Sequence, residues 1–313
     1  MKDKYNIAMI GGRGFVGSEV IKILNAHPLF FLTKIFSTSA EGEFVTEYTK
    51  SQNLKYSLLD KSNLELIDVD IVIMALANNE SFDFIKEIDS MHPNIIIIDI
   101  SSDYRFNKSW HYRIPEITKD KITNRISNPG CYASAIQFSI EPIKELIDGR
   151  VSCMGISGYS GAGASPSAKN DPENLLDNII PYSLSGHIHE KEVIKNCYEN
   201  LTFSPHVGNF FRGILITSHM QLKDRHSSKE VMTYFEDFYK NSNLIKIGEE
   251  IPMINKVAGT HLVHIGGFSI GEDGKSLTMC CVLDNLLKGA ATQIIQNLNC
   301  VCGIDELTGI NYE

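Results

Sequence analysis

The sequence predicts an α/β protein in two parts, a unit built on a parallel sheet followed by a mixed α/β unit. Three observations carry this. Two apolar runs without alternation, residues 69–77 and 94–100, read as strands covered on both faces, the habit of parallel sheets. A glycine cluster, Gly11, Gly12 and Gly14, follows the first apolar run and opens a stretch of helical periodicity. Past Asn128 the strand-like runs lengthen and alternate, as in a sheet with one helix-covered or solvated face. A length of 313 residues fits two medium domains, and 43% hydrophobic against 21% charged residues supplies each with a core.

The elements follow in order. Residues 5–10, "YNIAMI", form the first strand, and residues 15–27 a helix on which Phe15, Val16, Val20, Ile23 and Leu24 share a face. Residues 31–37 make the second strand, 69–77 the third, 80–91 a helix, and 94–100 the next strand. This is a Rossmann-type parallel sheet domain. A helix is expected over 132–147, then a strand over 151–157 and a loop over 158–172. Strands at 213–222, 261–270 and 276–283, a helix near 227–240 and a closing helix at 286–299 complete a mixed α/β substrate domain. The expected ranges are 1–130 for the nucleotide-binding domain and 131–285 for the second, with 286–313 returning to the first.

Net charge is −9, which argues against nucleic acid or an anionic membrane as a partner but leaves an anionic small substrate open. No apolar run reaches the length of a membrane span. The opening "MKDKYNIAMIGG" carries no signal-peptide pattern, and seven cysteines at unpaired spacings suit a reducing compartment, so a cytoplasmic protein with thiols is expected. Cys300 and Cys302 lack the second pair of a metal site, and no metal is expected.

Gly11-x-x-Gly14-x-x-Gly17, between strand and helix, is a variant dinucleotide loop: glycines let backbone N–H groups approach a pyrophosphate at the helix N-terminus. At the end of the second strand stand Ser37, Thr38 and Ser39, where an NAD site usually has a carboxylate. Small hydroxyls accept a 2'-phosphate without repulsion, so NADP is favoured, although no arginine is apparent at that strand end.

Asn128-Pro129-Gly130 is turn chemistry, and it delivers Cys131 to a helix start, where the helix dipole stabilises a thiolate. An inert core cysteine and a nucleophile both fit that position. "SGHIHEKEV" offers His187 and His189 as acid–base partners and Glu192 one turn on to orient an imidazole; a surface histidine pair fits as well. Arg105, Arg212 and Lys288 are candidate cations for an anionic substrate, and each can equally be a structural charge.

These pieces occur in one order along the chain. "GGRGFVGSEV", "IDISSDYRF", "SNPGCYASA", "GYSGAG", "GHIHEKEV", "FSPHVGNFFRGIL" and "DNLLKGAATQIIQNLN" together resemble the N-acetyl-gamma-glutamyl-phosphate reductase family over nearly the whole chain. The resemblance implies a Rossmann domain plus an α/β dimerisation domain, and NADPH-dependent reduction of a small acyl phosphate in arginine biosynthesis. It implies homo-oligomers, dimers or tetramers. The nucleophile falls on Cys131, and the His-x-His-x-x-Glu element on His187, His189 and Glu192, with the second histidine as acid–base residue. Cofactor residues would be Gly11, Gly14, Phe15, Val16, Gly17, Ser37, Ser39, Gly161 and Asn285; substrate or phosphate residues would be Ser102, Arg105 and Arg212. The chain departs from the family pattern at Arg113, at Ala133-Ser134, and at Ala164 and Ile188, where the family commonly has arginines. Two alternatives stand beside this: reduction of a carrier-linked aminoadipyl phosphate, and a non-catalytic regulator on the same fold.

Overall fold

The computed structural model describes residues 2–60 and 64–312, so the outermost residues of the expected ranges, Met1 and Glu313, lie outside it. The chain divides into two compact units, residues 1–129 with 290–311, and residues 130–289.

In the first unit, β1 (Tyr5–Ile10) leads through the glycine loop into α1 (Phe15–Ala26) and β2 (Phe30–Ser37). Next come β3 (Tyr56–Leu58), β4 (Ile71–Met74), α2 (Ser81–Met91), β5 (Ile96–Asp99), β6 (His111–Tyr112) and β7 (Arg125–Ser127). The sheet order is β3-β2-β1-β4-β5-β7-β6, and every pairing is parallel. The apolar runs explain this: β4 is buried at all four positions, and Ile7 to Ile10 have no exposed surface. Such strands need helices on both faces.

In the second unit, α3 (Cys131–Ile140) precedes the long β8 (Ile147–Gly158). Then follow α4 (Pro172–Leu175), β9 (Ile179–Pro181), α5 (Ile188–Asn196), β10 (Leu201–Gly208), β11 (Ile214–Leu222), α6 (Ser228–Tyr239), β12 (Ile245–Ile247), β13 (Val263–Ile270) and β14 (Ser276–Leu283). The order is β12-β13-β14-β11-β8-β10-β9, with parallel β12–β13 and β8–β10 pairs and the rest antiparallel. The mixed α/β architecture is as expected. The closing α7 (Thr292–Val301) belongs to the first unit, where it lies against α1 and His27 Nε2 meets Asn299 Oδ1 at 3.0 Å.

Two helices differ from the expected ones. The helix expected over 132–147 stops at Ile140 and tightens into a 3₁₀ segment, Glu141–Leu146. Pro142 is the cause: it has no N–H for the carbonyl four residues back. That carbonyl, Phe138 O, accepts the Tyr239 hydroxyl at 3.0 Å instead. The helix expected over 286–299 begins as a π-turn, Leu287–Ala291, before α7. There Gly289 N–H donates to Asp284 O at 2.8 Å, while the Asp284 carboxylate caps Leu286 and Leu287 N–H. β10 was not apparent from periodicity, since Pro205 interrupts its pattern.

Candidate active site

The glycine loop is shaped by close backbone approaches. Gly11 has φ +87°, and a Cβ there would stand 2.4 Å from Ala75 O. A Cβ on Gly17 would stand 2.5 Å from Gly12 O, so the first turn of α1 lies directly on the loop. Gly14, the N-cap, has open space where its side chain would be, and neither a capping side chain nor a first-turn carboxylate covers this helix start. Phe15 and Val16 begin the helix. A cleft of about 520 Å³ opens beside the loop, lined among others by Gly11, Arg13, Ser37, Ser39, Leu76 and Phe84; Glu80 and Asp83 line its α2 side.

Arg13 corrects the sequence reading, which found no arginine at the end of β2. Its Nη1 reaches Ser39 O and Oγ, each at 3.4 Å, and Ser37 Oγ accepts Ser39 N–H at 3.2 Å. A guanidinium and two hydroxyls on one wall fit a 2'-phosphate, and the side-chain-free Gly14 fits a pyrophosphate. Arg13 was in view inside "GGRG", but its approach to a residue 26 positions on is made by the β1–β2 pairing and leaves no local signal.

Cys131 is the first residue of α3, after the N-cap Gly130. Upstream, Asn128 N–H donates to Asp99 O at 2.8 Å, and Arg105 Nε donates to Asn128 O at 2.9 Å. Downstream, a Cβ on Gly289 would stand 2.8 Å from Cys131 Cβ, so the π-turn presses a bare backbone onto the thiol-bearing residue. Glu192, with no exposed surface, accepts Gly130 N–H through Oε2 at 2.9 Å. Its Oε1 lies 3.9 Å from His189 Nε2. One carboxylate thus touches both the turn before Cys131 and the imidazole one helical turn away.

The two histidines are not equivalent. His187 is the N-cap of α5, and its Nδ1 accepts His189 N–H at 3.1 Å. Tyr132 packs between them and Phe203, with ring centres 6.3 Å from His187 and 6.0 Å from His189, and its hydroxyl donates to His206 O at 2.6 Å. Burial first, then the neighbouring Tyr182 and Cys131 charges, push the Tyr132 phenol well up, so it stays a neutral donor.

The expected anion-binding arginines are engaged with protein. Besides Asn128 O, Arg105 gives Nη2 to Ile100 O at 2.8 Å, and its backbone N–H meets Ser102 O at 3.3 Å. Arg212 pairs bidentately with buried Asp284, Nε to Oδ2 at 2.5 Å and Nη2 to Oδ1 at 3.0 Å. Asn285 is tied to Gly213 N–H at 2.7 Å and Ser160 Oγ at 2.9 Å, and Gly161 packs against Ser157 Oγ and the Asn285 amide. Gly161, Asn285 and Arg212 therefore gather around the β11–β14 ends, apart along the chain from the glycine-loop set. Among the described residues, no cluster of His, Cys, Asp and Glu has the geometry of a metal site.

Two family descriptions match this chain: "Semialdehyde dehydrogenase, NAD binding domain" over residues 6–125 and "Semialdehyde dehydrogenase, dimerisation domain" over residues 131–285. A Xanthomonas campestris pv. campestris protein named N-acetyl-gamma-glutamyl-phosphate reductase is 42% identical over 308 residues, 97% of this chain and 98% of that one. A Stenotrophomonas maltophilia protein of the same name is 39% identical over 312 residues, 98% of each. The chain belongs to the N-acetyl-gamma-glutamyl-phosphate reductase family. Among solved structures, aspartate semialdehyde dehydrogenase II of Vibrio cholerae, complexed with ASA, superposes with TM-score 0.77 at 17% identity, covering 96% of this chain and 99% of that one. Aspartate semialdehyde dehydrogenase with NADP from Candida albicans gives 0.75 at 15%, covering 96% and 98%. At these identities the likeness is one of fold.

In this member of the N-acetyl-gamma-glutamyl-phosphate reductase family, Ser134 and Arg113 have structural work. Ser134 returns its hydroxyl to Gly130 O at 3.1 Å, bracing the turn before Cys131. Arg113 is buried and gives Nη1 to Asn297 Oδ1 at 2.8 Å, anchoring α7 within the first unit. It is a structural cation.

Proposed function

We propose that this chain reduces N-acetyl-gamma-glutamyl phosphate to N-acetyl-glutamate semialdehyde and phosphate with NADPH, a step of arginine biosynthesis, through a thioester on Cys131. The observation that carries the reading is buried Glu192, which accepts the N–H of Gly130, the residue before Cys131 at its helix start, and lies 3.9 Å from the His189 imidazole.

The helix start favours the Cys131 thiolate. The thiolate attacks the acyl carbon, and the first-turn N–H groups of α3 are placed to meet the oxyanion, a contribution of roughly 3–4 kcal/mol where such donors have been removed elsewhere. The C–O bond to phosphate breaks and the thioester remains. Gly11, Gly14, Gly17, Arg13, Ser37 and Ser39 would hold the cofactor. When bound, NADPH supplies the hydride that the thioester carbonyl accepts. His189 gives and takes the proton as the C–S bond breaks and the thiolate is regenerated, and Glu192 orients its ring. His187, whose Nδ1 caps α5, positions rather than transfers. The assembly is a dimer or tetramer in the cytoplasm, built through the unit that matches the dimerisation domain.

The test is NADP- and phosphate-dependent oxidation of N-acetyl-glutamate semialdehyde by the purified protein, run beside aspartate semialdehyde and a carrier-linked aminoadipate semialdehyde. We expect turnover on the first substrate and its loss in Cys131→Ala with NADPH binding retained. A preference for either of the other two substrates, or normal turnover in Cys131→Ala, would contradict the reading.

A further inference from the structure

The acyl phosphate is an anion, yet the arginines nearest in expectation are engaged: Arg212 with Asp284 and Arg105 with backbone carbonyls. Lys288 is wholly buried, with its ammonium 5.5 Å from the Phe138 ring centre. A different cation stands on the histidine side of Cys131. Lys169 Nζ lies 4.6 Å from the centre of the Tyr182 ring, and among the described residues it has no carboxylate within ion-pair distance. The Tyr182 ring meets His187 edge-on at 5.5 Å, and His187 meets His189 at 4.8 Å. Lys169, Tyr182, His187 and His189 therefore form one row leading to the Glu192 carboxylate and the Cys131 turn.

The position of Lys169 is built, although it lies on a loop. Asn170 draws residues 163–170 into a compact turn: its Oδ1 accepts Ser167 N–H at 2.7 Å, and its Nδ2 donates to Gly163 O at 2.9 Å and Ser165 O at 2.8 Å. Tyr182 is fixed from the other side, its N–H donating to Pro205 O at 3.2 Å. Ammonium over a tyrosine face is a favourable arrangement, and the ammonium carries three N–H donors. Burial, then the Cys131 charge, pushes the Tyr182 phenol up, so it keeps its hydroxyl proton, with the Tyr132 side chain as a hydrogen-bond neighbour.

We propose that Lys169, seated on the Tyr182 ring, is the cation that binds an oxyanion of the substrate beside Cys131, with the Tyr182 hydroxyl as its neutral partner. The oxyanion is either the transferred phosphate or the substrate carboxylate, and the chain carries this charge at 169 while 164 and 188 are Ala and Ile. The proposal rests on the acyl-phosphate reading, so it is tested in two ways, one of which needs no turnover.

The first measures alkylation of Cys131, by peptide mass spectrometry, with anionic iodoacetate and with neutral iodoacetamide. Lys169→Met keeps an apolar stem over the ring and removes the charge. We expect it to slow iodoacetate relative to iodoacetamide by about 10-fold, the scale of a local field on an encounter rate. Lys169→Arg should restore the ratio. An unchanged ratio in Lys169→Met overturns the proposal even if the protein turns over nothing, whereas absence of wild-type turnover would count against the acyl-phosphate reading alone. The second measures reverse-reaction KM values. A rise of about 10- to 100-fold in KM for phosphate in Lys169→Met, the worth of one charge-assisted hydrogen bond, assigns the phosphate; the same rise for the semialdehyde assigns the carboxylate. No rise in either, with kcat unchanged, contradicts it.

Discussion

The two histidines of "HIHEKE" have different surroundings. His189 Nε2 faces a carboxylate that also fixes the turn before the thiol, while His187 Nδ1 caps a helix. Replacing His189 by Asn should cost turnover about 10²- to 10⁴-fold, the usual range for removing a general acid–base. His187→Asn should cost far less, because Asn is itself a good N-cap and its Oδ1 can accept the His189 N–H. Steady-state kcat for the two variants decides; the opposite ranking would exchange their roles. Arg13 makes a second residue-scale prediction. Its guanidinium sits on Ser39 rather than on a carboxylate. Arg13→Ser should raise KM for NADPH by about 10- to 100-fold and leave that for NADH nearly unchanged. Equal effects on both cofactors would remove Arg13 from the 2'-phosphate site. That Cys131 stands at a helix start and Glu192 one turn beyond His189 was legible in the sequence, because turn and helix spacing are local. Arg13 with Ser39, and Lys169 with Tyr182, were not, because tertiary structure makes those pairs.

At the scale of elements, the π-turn Leu287–Ala291 is the piece that periodicity hid. The apolar spacing of 286–299 continues smoothly into α7, and the hydrogen bond from Gly289 N–H to Asp284 O, five residues back, reveals the extra residue. Widened turns of this kind cluster at functional sites. Here it brings Gly289 against Cys131, and Asp284 holds both the turn and Arg212. Gly289→Ala would force a Cβ to 2.8 Å from Cys131 Cβ. We expect overpacking of about 1–3 kcal/mol in thermal melts and a kcat loss on the order of 10²-fold from displacing the nucleophile, with NADPH affinity retained. Full activity would mean that the turn yields without moving Cys131. The Pro142 break of α3 has a sequence signal after all, a proline inside a helical pattern, and it ends the helix where the proline rule says it should.

Across the whole molecule, the α/β class and the change of texture near residue 130 were readable from strand character alone, since parallel strands must be apolar on both faces and the second sheet is mixed. What periodicity could not supply was the polar interior of the first unit. His27 there has no exposed surface, accepts Leu29 and Phe30 N–H through Nδ1, and meets Asn299 through Nε2. Burial is the main cause that lowers its pKa from 6.5 to about 4. The sign follows: the fold prefers neutral His27, so its stabilising share is present above pH 6.5 and is lost as pH falls toward 4, because the unfolded chain takes up the proton first. Chemical denaturation at stepped pH should show stability falling through this window, with a shallower fall in His27→Asn, which can keep an acceptor near the Leu29 and Phe30 N–H groups. An identical slope in that variant would locate the proton uptake elsewhere.

The thioester on Cys131 is tested most directly by withholding phosphate. Mixed with semialdehyde and NADP but no phosphate, the enzyme should release a burst of NADPH equal to its active sites. The Cys131 peptide should then carry the N-acetyl-glutamyl group by mass spectrometry. Rapid turnover on adding phosphate, with no burst before it and an unmodified Cys131 throughout, would contradict covalent catalysis at this residue.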